Sequence, residues 1–154
     1  MQSYVEAASV RLAAFHSPPT PATIDRDVAL VSAELRWTVP EEAIRSSYAD
    51  LQEATEEGAC AVAFATVMTE GYRVVKRLPK GTGADFFVLL PAGAKDEERH
   101  IRLEVSEIGA GRDRAAHLSR VQQKVDQLVR ADFSPGLAVV VTFEAAIIYE
   151  RSVE

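Results

Sequence analysis

At 154 residues, 47% hydrophobic and 26% charged, the chain has the length of one domain and an ordinary globular composition, which excludes a disordered or fibrous protein. Its single cysteine, Cys60, excludes an intrachain disulfide and a cysteine-built zinc site, and no stretch reaches the roughly 18 apolar residues of a membrane span. The net charge of −6 is uneven: residues 1–70 carry 4 Lys and Arg against 11 Asp and Glu, whereas residues 71–130 carry 12 against 8, so an anionic partner such as nucleic acid would meet the middle segment.

No basic start followed by an apolar run marks the N-terminus, and the expected location is a reducing cytoplasm with no membrane partner. Residues 1–16 suit a short helix or an irregular arm, and the prolines at 18, 19 and 21 require an extended linker or edge crossing. From 27 to 39 the chain alternates, with Ala29, Val31, Ala33, Leu35, Trp37 and Val39 on one face and Ser32, Glu34, Arg36 and Thr38 on the other, the pattern of a half-buried strand. The apolar row around Trp37 points to a surface that is either buried or dimeric. A short helix over 41–47 follows Pro40.

Asp50, with Glu53 three residues on, predicts the start of a long helix ending at Gly71, whose apolar face is expected to be Leu51, Ala54, Val62, Ala65, Val67 and Met68. Gly58 inside it costs about 1 kcal/mol relative to alanine and points to a close helix contact or a later start at Thr55. Strands are expected over 72–78 and, fully buried, over 85–90, joined by a turn of Pro79, Lys80, Gly81, Thr82 and Gly83. A polar loop over 91–99, a third strand over 100–108 and a helix over 112–130 with Ala115, Leu118, Val121, Val125, Leu128 and Val129 inward come next. The helix is expected to end before Asp132, and Ser134, Pro135 and Gly136 turn into an apolar strand over 137–143, which 145–149 continue or reverse.

The expected organisation is one α/β (α+β) domain over 1–154. It comprises an arm and proline-rich linker (1–26), an N-terminal strand and short helix (27–50), a core (51–143) and a C-terminal strand or tail (144–154). Within the core, Gly83, Ala84 and Asp85 head the second strand, and Arg102, Leu103, Glu104, Val105 and Ser106 lie in the third. In that strand Glu104 and Ser106 project together from one face.

This order of helix, three strands, helix and strand, with acids at those places, resembles the PD-(D/E)XK nuclease superfamily. The resemblance implies an active site that takes Asp85 from the second strand and Glu104 from the (D/E)-x-K triplet of the third, two hard oxygen donors suited to Mg²⁺. Ser106 stands where the family has its lysine, and a hydroxyl has neither the charge nor the reach of an ammonium group. Members of the superfamily also supply a migrated lysine, for which Lys80 and Lys124 are the candidates, and a third carboxylate from the leading helix, here Glu53, Glu56 or Glu57.

The expected function is therefore a degenerate PD-(D/E)XK-like protein acting as a binding or regulatory component of a bacterial defence, restriction or toxin-antitoxin module. The alternatives are an active Mg²⁺-dependent endonuclease with a migrated lysine, and a protein-interaction module or homodimer that adds its N-terminal strand to a partner's edge. Arg73, Lys76, Arg77 and Lys80 would follow a phosphate backbone, or guard an edge strand against aggregation. Plain structural uses compete throughout: Asp85 as a turn residue, Glu104 paired with Arg102, Gln122 and Gln123 on a solvated face, and Cys60 in the core. His16, His100 and His117 lack metal-site spacing, and Lys80 to Gly83 lack that of a phosphate loop.

Overall fold

The computed structural model describes residues 1–82, 84–95, 99–131 and 135–154. Gly83 of the predicted turn, 96–98 of the polar loop, and Asp132 and Ser134 lie outside the described residues. Among the described residues four helices, α1 (Gln2–Ala13), α2 (Glu42–Ser47), α3 (Leu51–Thr69) and α4 (Arg114–Arg130), surround a mixed sheet. Its strands are β1 (Thr20–Arg26), β2 (Ala29–Leu35), β3 (Arg73–Arg77), β4 (Phe86–Leu89), β5 (His100–Ile108), β6 (Gly136–Thr142) and β7 (Ile147–Val153). They lie in the order β2-β1-β7-β6-β5-β4-β3. Among the described residues no helix is long and apolar enough to cross a membrane.

Each side chain row of β6 belongs to a different layer, which explains why its sequence is apolar without interruption. Val139 and Val141 join α3 residues such as Val62 and Val67 in the main core, while Val140 meets Val121 of α4 and Ala138 meets Leu128. Helices α1 and α3 therefore cover one face of the sheet and α4 the other. The crossover through α4 makes β5 and β6 parallel, whereas β3, β4 and β5 form an antiparallel meander. Strand β7 turns back antiparallel to β6 and then takes β1 as a parallel neighbour.

Several expectations change. The segment read as arm and linker folds into α1 and β1, with β1 set between β2 and β7 inside the sheet. The 27–39 strand is shorter, since Asp27 and Val28 form a hairpin turn and the ladder to β1 ends at Leu35. Strand β4 is half-buried in alternation rather than fully buried. Leu51, Ala65 and Met68 of α3, and Ala115, Leu118 and Val129 of α4, are exposed. Asp50 does cap α3, its Oδ1 accepting from the Gln52 and Glu53 N–H groups at 2.8 and 3.2 Å.

Where β1, β7 and the end of α3 meet, Arg26 lies 2.9 Å from Glu70 and 3.4 Å from Glu150, which is buried. Burial lifts the Glu150 carboxyl to about 7, Glu70 reinforces the rise, and Arg26 opposes it. The folded state thus holds this proton more tightly than the unfolded chain, so stability is full below the ordinary carboxyl range and falls as pH rises toward 7. Urea titrations should show Glu150→Gln losing that slope and exceeding wild type by on the order of 2 kcal/mol at pH 8. An unchanged slope in the variant would assign it elsewhere.

Candidate active site

Strand β4 leaves β5 after the pair Phe86 and Leu103, so β5 from Glu104 onward keeps β6 as its neighbour on one side and opens a notch on the other. Asp85 sits at the corner of the notch. Its N–H donates to Leu103 O at 3.0 Å, and its Oδ2 accepts from Val105 N–H at 2.9 Å, satisfying a β5 donor that β4 no longer reaches. Since the notch interrupts the sheet, residues from both helical layers meet there. The result is a cleft of about 740 Å³ whose wall includes Glu53, Glu56, Glu57 and Cys60 of α3 and Arg120, Lys124 and Gln127 of α4.

Glu104 and Ser106 point from β5 toward α4, as their alternation requires. The Lys124 ammonium lies 2.6 Å from Glu104 Oε1, with the two side chains 14% and 4% exposed, and 3.3 Å from Gln127 Oε1. Arg120, one turn earlier, donates from Nε to Ser106 Oγ at 2.9 Å and from Nη1 to Gln123 Oε1 at 2.7 Å. Burial raises the Glu104 carboxyl pKa, Lys124 counteracts it, and the negative charge of Asp85 adds to the rise. Two carboxylates therefore line one cleft, and Lys124 supplies a positive charge in contact with the buried one, Glu104.

The structure thus unites Asp85, Glu104 and Lys124, and leaves Lys80 exposed on the rim of the same cleft. Glu57 lines the cleft with Glu53 and Glu56, but no three His, Cys, Asp or Glu side chains among the described residues come close enough to hold one ion. The basic run divides. Arg77 faces the cleft and donates to Tyr4 Oη at 3.0 Å, whereas Lys76 lies over the Phe87 ring, 5.5 Å from its centroid. Arg73 and Lys76 do not line the cleft. Cys60 belongs to the cleft wall as well as the core, and burial pushes its thiol up to about 12, which keeps it protonated and unreactive.

No family model, curated protein or solved structure matches the chain. The site is therefore defined by its geometry.

Sequence reasoning missed Arg120 and Gln127. With Lys124 they occupy positions i, i+4 and i+7 of α4, a polar stripe on the side of the helix turned to the cleft, and that spacing was the available signal. Gln122 and Gln123 are exposed and bonded to Asp126 and Arg120 of their own helix, as a solvated face predicts.

Proposed function

We propose that the cleft is the active site of a Mg²⁺-dependent phosphodiesterase acting on nucleic acid, built on a PD-(D/E)XK-like core. In this reading Lys124 takes the part of the lysine absent at Ser106. The observation that carries it is the 2.6 Å contact between Lys124 Nζ and Glu104 Oε1, in the cleft that also holds Asp85. A charged donor enters the acid site from α4, so the serine in the triplet does not deprive the cleft of an ammonium group. Further support comes from the succession α3, β3, β4, β5, α4, β6, with β5 and β6 parallel.

The donor chemistry fits a hard cation. Asp85 and Glu104 offer carboxylate oxygens; burial raises the Glu104 carboxyl pKa first and the charge of Asp85 adds to the rise, and a bound cation would oppose both. Mg²⁺ is commonly held by one or two carboxylates together with substrate phosphate, so a third protein acid is not required. Bound there, Mg²⁺ would polarise a phosphoryl oxygen and lower the pKa of a bound water. Lys124 holds a cation and N–H donors where a non-bridging phosphate oxygen or the attacking water would lie, and Gln127 steadies its ammonium group. Arg120 is fixed by Ser106 and Gln123 with its guanidinium beside the cleft, placed to bind a neighbouring phosphate. Arg77 and Lys80 on the wall extend that positive surface against the acidic α3 side.

The test is cleavage of plasmid and of short single- and double-stranded DNA and RNA with Mg²⁺ or Mn²⁺. Asp85→Asn retains an acceptor for the Val105 N–H while removing the charge. It should lower the rate by more than roughly a hundredfold, since losing even an indirect partner of a metal ligand costs about 10 to 100-fold. Calorimetric metal binding without cleavage would favour a binding or regulatory component, and no metal binding by wild type would reject the proposal.

A further inference from the structure

Strand β2 ends the sheet on one side, and β3 ends it on the other. The two edges differ in kind. Strand β3 carries Arg73, Lys76 and Arg77 and an irregularity between Val74 and Lys76, both of which discourage another strand from pairing. Strand β2 is regular, and Leu30 on it is 70% exposed.

The direction of its backbone groups follows from β1. Thr23 N–H donates to Ala146 O at 3.0 Å and Asp27 N–H to Glu150 O at 3.2 Å, so odd-numbered β1 residues face β7 and even-numbered ones face β2. The register pairs even-numbered β1 residues with Ala29, Val31, Ala33 and Leu35, which spend their N–H and C=O groups on β1. Leu30, Ser32 and Glu34 therefore direct theirs outward, and no described strand pairs with them. Continued alternation gives Arg36 the same direction.

We infer that this edge is a homodimer interface, in which β2 and the segment after it pair antiparallel with the same strand of a second copy about a two-fold axis at Leu35. An axis there sets outward backbone groups against outward ones, as an antiparallel ladder needs. It also places Glu34 of each copy opposite Arg36 of the other, and Ser32 opposite Thr38. On the opposite face Val31 meets Val39, Ala33 meets Trp37, and Leu35 meets Leu35. Every pair joins like polarity, and both charged pairs join opposite signs.

Moving the axis by one residue either way sets Glu34 against Glu34 or Arg36 against Arg36, so charge favours this register over both of its neighbours. In one chain Glu34 and Arg36 bond to each other at 2.5 Å, with side chains 44% and 79% exposed, and pairing would exchange this contact for two between chains. The dimer would extend the sheet without touching the cleft, whose lining residues lie on other elements.

The experiment is sedimentation of wild type, Glu34→Arg and Arg36→Glu, with circular dichroism establishing that each is folded. Wild type should be dimeric, and each charge reversal should raise the dimer dissociation constant roughly tenfold or more by opposing like charges across the axis. An equimolar mixture of the two variants should recover the dimer, because each supplies the charge the other needs. Ser32→Pro, which deletes an outward N–H and leaves the bonds to β1 in place, is the independent variant and should also be monomeric. Monomeric wild type, charge-reversal variants with the wild-type dissociation constant, or a mixture that binds no more tightly than the single variants would overturn the inference.

Discussion

Lys124→Ala should abolish the proposed nucleic-acid cleavage and lower folding stability by about 3 kcal/mol at pH 8, the typical cost of removing one member of a buried ion pair. The contact is short and enclosed: Nζ lies 2.6 Å from Glu104 Oε1, and neither side chain is more than 14% exposed. Without its cation, Glu104 faces the negative charge of Asp85 in a desolvated place, so its carboxyl pKa, already raised by burial, should climb further. A folded-state pKa above the unfolded one contributes stability at low pH that is lost as pH rises through it. The deficit of Lys124→Ala should therefore be small at pH 4 and grow toward pH 8, as urea titrations would measure. The double variant Glu104→Gln, Lys124→Met should recover most of the stability and none of the cleavage. If it recovered both, or if Lys124→Ala kept wild-type cleavage, Lys124 would have no part in the chemistry.

Much of the fold was legible where one physical signal dominated. Strand β5 is legible from strict alternation over residues 100–106, and β6 reads as a buried strand because helices cover both of its faces. Strand β1 was hidden because its identity rests on remote partners. Its parallel ladder joins Thr23 to Ile147 and Arg26 to Glu150, far apart in sequence, and Pro21 looks like a strand breaker. Pro21 is tolerated because it precedes the β7 ladder, which begins at Thr23, so no bond is lost for want of an N–H.

That Asp85 and Glu104 share one cleft was legible in the sequence, and the place of the cations around it was only half legible. Asp85 and Glu104 follow from the order of elements, whereas the choice between Lys80 and Lys124 depends on which element borders the notch that β4 leaves beside β5. The same cause explains the misread helix faces. Leu118 and Val129 match an apolar period and are exposed, because α4 turns part of its circumference to the cleft through Arg120, Lys124 and Gln127. Hydrophobic periodicity finds a helix reliably but cannot separate the side that meets the sheet from the side that meets a site.

Gly58→Val should destabilise the protein by about 3 kcal/mol, through overpacking at the crossing of α1 and α3. A Cβ at Gly58 would lie 3.0 Å from both Cα and N of Ala8 and 3.1 Å from Cζ of Phe143, closer than such atoms ordinarily approach. The same crossing buries Ala7, Ala8, Ala54 and Ala59, so the two helices are in contact along a run of small residues. Gly58→Ala isolates the steric cost. In an open helix it would gain about 1 kcal/mol of propensity, and here the backbone of α1 must move to admit the methyl group, so the net change should be destabilising. Because two of the three obstructing atoms are backbone, Ala8→Gly should fail to rescue Gly58→Ala, and Phe143→Leu should relieve only the third contact. Urea midpoints of the single and double variants decide the matter. A neutral or stabilising Gly58→Ala would mean that α1 shifts freely on α3, and the glycine would then reflect no packing requirement.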